Sequence, residues 1–359
     1  MRQNGKLTER NRDRALGCLV GGAVGDALGY AVEFEQWPYI RNTYGDKGIT
    51  RYQLAGNGKA LISDDTQMTL FTAAGILLGM TRGHMRGIMG RIDTYCHSTY
   101  LDWLHTQEWD LRKPKERSDS WLMDVPELYA RRAPGNTCLS ALKSLENNKE
   151  PQNNSCGCGG VMRTAPLAIL DYLHRYADAE YEYCDMVAAE AARITHKHPL
   201  GFLPSAVLND ILMQLFDGEI DRGTSLSDIV HNAIKRLPSI KSETDKDRTY
   251  GELWPDEVAT LRRLLKYAME LTVRDIPDHV AIEKIGGGWT GHEALAIAIY
   301  SAVKHSNNFE NAIVSSVNHS GDSDSTGAIC GNIMGTLLGR NAIPEYYTKD
   351  LELLDIIEE

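Results

Sequence analysis

The sequence predicts an all-α fold built as a single helical bundle. Three observations carry that expectation. Apolar residues recur at three- and four-residue spacing along most of the chain. Strand-type alternation is scarce and short, and aromatic residues make up only 8% of the 359 positions. No linker-like stretch separates two cores, and with 42% hydrophobic and 24% charged residues the chain can bury one large core.

The elements follow in order. Residues 1–14 read as a charged leader, more basic than the rest, serving either as a solvated tail or as a contact surface for a partner protein. The domain proper then runs over residues 15–359. Its first segment, Ala15 to Val24, mimics the apolar core of a signal peptide. Asp26 interrupts that run and Glu33 follows, well short of the about 20 apolar residues a membrane span requires. It reads as a buried helix. Helical periodicity continues over residues 66–80, 85–104, 136–145, 181–195, 203–215, 226–234, 255–271, 291–304 and 326–338. Residues 109–134, broken by Pro114, Pro126 and Pro134, read as an insertion, and residues 241–248 as a polar loop.

Charge and cysteine content exclude several classes. Lys and Arg number 38 against 49 Asp and Glu, a net charge of −11. Such a chain is a poor non-specific binder of nucleic acid or anionic membrane, so neither is expected as a partner. The basic cluster Arg112, Lys113, Lys115 and Arg117 is interrupted by Pro114 and Glu116 and reads as a solvated loop. Seven irregularly spaced cysteines point to a reduced, cytoplasmic protein. Cys156 and Cys158 lack the second Cys/His pair that a zinc site needs.

Two glycine stripes lie near the chain ends. Gly17, Gly21, Gly25 and Gly29 recur every four residues, as do Gly327, Gly331, Gly335 and Gly339. Positions i and i+4 share a helix face, so each stripe lets another backbone approach closely. Four helical glycines cost up to about 1 kcal/mol each relative to Ala, and tight packing must offset that. The stripes are expected to be core contacts that bring both chain ends together.

Two carboxylate clusters adjoin these helices. In Ser63-Asp64-Asp65-Thr66-Gln67 a single N-cap would need only one acidic or hydroxyl residue. Gly321-Asp322-Ser323-Asp324-Ser325 likewise precedes an apolar run. Four carboxylates and several hydroxyls at two helix starts suit hard cations such as Mg²⁺ or Mn²⁺, and are numerous enough for two ions. An EF-hand is excluded, because the twelfth loop position counted from Asp322 is Ile333, not Glu. Between the clusters, the glycine-rich run Asn154 to Pro166 offers backbone N–H groups of the kind that cradle phosphate, without being a P-loop or a dinucleotide fingerprint.

In this order the motifs resemble the ADP-ribosylglycohydrolase family. The resemblance runs through residues 17–34 (GCLVGGAVGDALGYAVEF), 63–69 (SDDTQMT), Gly135-Asn136-Thr137, 157–166 (GCGGVMRTAP), Thr195-His196-Lys197-His198-Pro199, 286–293 (GGGWTGHE) and 321–331 (GDSDSTGAICG). It implies a single orthogonal helical bundle with a central two-metal site holding two Mg²⁺, or Mn²⁺. The implied ligands are Ser63, Asp64, Asp65, Asp322, Asp324 and Ser325; the family often has Thr at the two serine positions. Glu33, Asp65 and Asp324 fall on catalytic positions. Asn154, Ser155, Gly157, Cys158 and Gly159 match the loop that holds diphosphate and ribose, His196 a motif near the ribose, and Trp289 an aromatic facing the adenine. The implied reaction releases ADP-ribose from a modified protein, foremost from arginine. A second expectation, drawn from the leader, is an immunity-type protein that occludes a cognate ADP-ribosyltransferase toxin.

Overall fold

The computed structural model describes residues 8–108, 118–176, 186–242, 245 and 247–359. Among them there is no strand, only three isolated bridges, so the all-α expectation holds. The chain opens with α1 (Glu9–Tyr30), the short α2 (Trp37–Tyr44), α3 (Asp64–Arg86) and α4 (Ile92–Glu108). It continues through α5 (Asn136–Glu146), α6 (Ala165–Tyr176), α7 (Met186–Arg193), α8 (Pro199–Phe216) and α9 (Leu226–Arg236). Then come α10 (Tyr250–Leu253), α11 (Pro255–Thr272), α12 (Asp278–Ile285), α13 (Gly291–Lys304), α14 (Phe309–Val317) and α15 (Ser323–Leu338).

Local chemistry explains the boundaries. The Ser63 hydroxyl caps α3 by accepting from the Asp65 N–H, and Asp64 and Asp65 occupy the positive end of the helix dipole. At the far end Gly87 adopts φ +72°, a left-handed stop. The single helix expected over residues 85–104 is therefore two pieces: its start belongs to α3, and α4 begins afresh at Ile92. A reciprocal Ser225–Asp228 capping box starts α9. The helices α2, α12 and α14 were not expected, because eight or nine residues are too few for a periodic pattern to stand out. Residues 181–185 of the expected 181–195 helix lie outside the described residues.

α8 is long and apolar enough to cross a membrane, yet 89% of it is buried inside the protein, where it serves as a central core helix. α1 and α15 form the other axis, antiparallel and in backbone contact. A methyl added at Gly17 would overlap the Gly335 carbonyl, one at Gly21 that of Gly331, and one at Gly25 that of Gly327; Gly29 abuts Ser323. The two stripes therefore do interlock, tooth against tooth, at a separation no side chain permits.

The leader needs correction. Thr8 caps α1, so residues 9–14 are its first turns. Arg14 is only 3% exposed and pairs with Asp221 at 3.0 Å, Asn11 bonds the Tyr172 hydroxyl, and Asp13 accepts from Asn341. Residues 8–14 thus belong to the bundle, and residues 1–7 lie outside the described residues. Part of the supposed insertion is also integral. Leu122, Met123, Val125 and Leu128 are buried, and the Asp102 carboxylate on α4 accepts from the Asp119 and Ser120 N–H groups. The basic cluster at residues 112–117 falls outside the described residues.

The glycine interlock yields a direct prediction. Gly331→Val should cost about 3 kcal/mol or more through overpacking against the α1 backbone. Gly135→Ala, at a site with nothing within 4 Å of the added methyl, should stay within about 0.5 kcal/mol. Chemical denaturation of both variants checks this, and equal stabilities would contradict the close approach.

Candidate active site

The interlock sets where the acidic groups meet. Asp26, fully buried on α1, accepts from the Ser63 N–H (3.0 Å), the Thr66 N–H (3.1 Å) and the Thr66 hydroxyl. It thereby clamps the first turn of α3 against α1. Glu352 holds the preceding residue, accepting from the Ile62 N–H at 3.1 Å while pairing with Arg132. On the other side Gly29 rests on Ser323 and Asp324 at the start of α15. The chain leaves α1 just beyond, in the turn that carries Glu33.

Asp64, Asp65, Asp322 and Asp324 are all buried, with Ser63 and Ser325 beside them. Burial raises every one of these carboxyl pKa values, and the charge of Asp324 raises those of Asp64 and Asp65 further. Glu33 is pushed up by burial, then by Asp324, Asp322, Asp64 and Asp26. The Ser63 hydroxyl acts on Asp324, which ties the two clusters together. No Lys or Arg is among the main groups acting on Asp64, Asp65 or Asp324. Asp65 Oδ2 and Glu33 Oε2 are buried without a hydrogen-bond partner.

A concentration of hard oxygen donors with uncompensated repulsion and two orphaned oxygens fits a divalent cation. It is not a preformed cage: among the described residues no group of three or more His, Cys, Asp or Glu is spaced to hold an ion. The side chains instead bond their neighbours. Asp322 accepts from Ser325 N and from the Cys158 thiol at 2.7 Å, while Asp324 accepts from Ser325 N at 2.9 Å. The Ser325 hydroxyl faces the Met162 sulfur. The Cys158 contact was not legible in the sequence; burial and Asp322 raise that thiol's pKa.

Three loops close around the carboxyls. Cys158 N–H donates to Trp289 O and Gly291 N–H to Cys156 O, joining the glycine-rich loop to the Trp289 loop. Asp322 N–H donates to Gly287 O, joining that loop to α15. Within the glycine-rich loop the Ser155 hydroxyl meets Thr137 at 3.0 Å and accepts from Gly157 N, and Asn154 is exposed. Gly157 and Gly159 lie directly against the His196 ring. Trp289, 44% exposed, stacks on Phe34, 62% exposed, with centroids 5.4 Å apart. Phe34 holds φ +69°, a conformation non-glycine residues seldom adopt. Nothing in the sequence pairs these two rings.

Arg163 was also missed. Fully buried, it donates to Thr195 Oγ1 at 2.6 Å and lies 4.5 Å from the centre of the Tyr100 ring. Thr195 Oγ1 in turn is 2.9 Å from His196 Nδ1. Burial, aided by Arg163, lowers the His196 pKa to about 3, so the imidazole stays neutral.

The family model described as ADP-ribosylglycohydrolase matches residues 7–359. The chain belongs to the ADP-ribosylglycohydrolase family. Membership carries the coarse activity, hydrolysis of a bond that attaches ADP-ribose. This ADP-ribosylglycohydrolase is 24% identical to the ADP-ribosylhydrolase ARH1 of Dictyostelium discoideum, over 99% of this chain and 95% of that one. It is 26% identical to the ADP-ribosyl-[dinitrogen reductase] glycohydrolase of Rhodospirillum rubrum, over 95% and 91%. A solved ADP-ribosylglycohydrolase-related protein complex shares the fold with a TM-score of 0.64 at 20% identity, covering 98% of this chain and 96% of its own.

The buried histidine makes a pH prediction. Its unfolded pKa is near 6.5, and its folded value lies far below. Between those values the unfolded state binds the extra proton, so stability falls as pH drops below about 6.5. Wild type should lose up to about 1.4 kcal/mol per pH unit through His196, and His196→Gln should lack that component. Denaturation at pH 7, 6 and 5 measures it; parallel pH profiles would refute the neutral buried state.

Proposed function

We propose that this ADP-ribosylglycohydrolase releases ADP-ribose from arginine side chains of modified proteins, using two divalent cations, Mg²⁺ or Mn²⁺. One observation carries the reading: buried carboxyls from two helix starts repel one another with no basic side chain among the main groups acting on Asp64, Asp65 or Asp324. Ser63, Asp64 and Asp65 would hold the ions from α3, and Asp322, Asp324 and Ser325 from α15. When bound, the cations supply Lewis-acid polarisation and offset the carboxylate repulsion.

The chain's own residues do the rest. Hydrolysis breaks the bond between the anomeric carbon and the guanidine nitrogen and forms a carbon–oxygen bond from water. One water proton passes to a carboxylate, and the leaving nitrogen takes up a proton. Glu33 and Asp65, each with an unpartnered oxygen, and Asp324, central to the cluster, are the groups that move those protons. Neutral His196, its ring against Gly157 and Gly159, orients a ribose oxygen. Asn154, Ser155, Gly157, Cys158 and Gly159 bind the diphosphate and its ribose, and the exposed Phe34–Trp289 pair offers an aromatic face to the adenine. The acidic surroundings favour a guanidinium over a neutral acceptor. The occlusion reading rested on a free-standing leader, and residues 9–14 are instead packed turns of α1, capped by Thr8.

ADP-ribosyl-arginine and ADP-ribosyl-serine peptides, followed by mass spectrometry with Mg²⁺ or excess chelator, test the proposal. Arginine-linked release should predominate and vanish on chelation. Asp65→Ala and Asp324→Ala should each lower kcat by about 100-fold or more with helical content intact. Cleavage of serine-linked substrate alone would overturn the acceptor assignment, and full activity in chelator would overturn the cation requirement. Trp289→Ala should raise KM by about 5- to 100-fold, the worth of one base–aromatic stack, with kcat little changed.

A further inference from the structure

Outside the carboxylate site, a cavity of about 750 Å³ lies between α11 and the start of α13. Arg262, Arg263 and Lys266 of α11 line it, and none of the three forms an ion pair among the described residues. Three cations without ion pairs among the described residues outnumber the two carboxylates, Glu270 and Glu293, that line the same cavity, in a chain of net charge −11. Two buried polar atoms at the lining are also orphaned, Arg262 Nε and His292 Nδ1. The Tyr267 ring and Leu264 add an apolar surface.

We propose that this cavity is a second small-molecule site, for a nucleotide carrying a phosphate or diphosphate. Arg262, Arg263 and Lys266 meet the phosphate charge, Arg by its forked donors and Lys as a point charge. Glu270 and Glu293 also line the cavity. They disfavour a bare anion but accept hydrogen bonds from ribose hydroxyls and base amino groups. Tyr267 supplies a stacking face, and the volume falls within the range of ordinary ligand pockets. The residues are distinct from those assigned to hydrolysis, so the proposal stands whether or not the arginine-directed reading does. The two regions are nonetheless adjacent in sequence: His292 and Glu293 lie in the first turn of α13, just after the Trp289 loop, and the Glu293 carboxyl packs against Gly286 of that loop.

Hydrogen–deuterium exchange on the full chain, titrated with ADP in the absence of added divalent ion, tests the site locally. ADP should slow exchange in peptides from α11, residues 255–272, separately from protection of the glycine-rich and Trp289 loops. The triple variant Arg262→Gln/Arg263→Gln/Lys266→Gln should weaken the α11 protection at least 10-fold in ADP concentration. Its melting temperature and hydrolysis should match wild type. Lys266→Gln alone, at an exposed position, should weaken it by about 3- to 10-fold and guards against misfolding of the triple variant. Adenosine should give at least 10-fold weaker protection than ADP, as should inorganic phosphate. Protection confined to the carboxylate-site loops would overturn the proposal, as would α11 protection that survives the triple variant. Equal protection by adenosine would remove the role of the cations, and equal protection by inorganic phosphate would remove the nucleotide assignment.

Discussion

The backbone-to-backbone contact of α1 with α15 is the constraint on which the rest depends. Glycines meeting glycines at three levels, with Gly29 on Ser323 at a fourth, leave only one antiparallel register, because a slip would drive side chains into carbonyl oxygens. That register places Gly29 on Ser323 and Asp324, so Glu33 emerges just past the start of α15. It also sets Asp26 where its carboxylate can clamp the start of α3. Removing the interlock would separate the two acidic clusters.

The acidic centre is costly to fold. Each carboxyl loses solvation and faces like charges, and helix N-termini offset only part of this. Raised carboxyl pKa values mean that the protein without cations is most comfortable with these groups protonated. Stability from this source is present below the ordinary carboxylate range and is lost as pH rises through the folded pKa values. His196 has the opposite sense, since its lowered pKa makes acid unfavourable. A bound cation would relieve the first strain without touching the second.

Backbone stitching, joined by the Cys158 thiol on Asp322, orders the loops around that centre. The glycine-rich loop, the Trp289 loop and the start of α15 exchange main-chain hydrogen bonds in sequence. Arg163 secures the same region from below, through Thr195 to His196. A buried guanidinium held by a hydroxyl, sulfur atoms and an aromatic face, with no carboxylate against it among the described residues, keeps positive charge beneath the glycine-rich loop.

The amino-acid sequence by itself determined the all-α class, the long helices, the paired glycine stripes and both acidic helix starts. Each rests on local periodicity or short-range capping chemistry, which neighbouring residues encode. It also carried the family, because ordered motifs persist when overall identity is low. It did not reveal Asp26 as a clamp, Arg163 as an anchor or Phe34 as the partner of Trp289, since each is a lone residue whose role comes from groups far along the chain. Nor did it reveal that residues 9–14 open α1, because Arg14 is buried in the bundle and its charge is met by Asp221 on a distant turn. Tertiary structure decided these points, for the physical reason that burial and charge compensation are properties of neighbours in space.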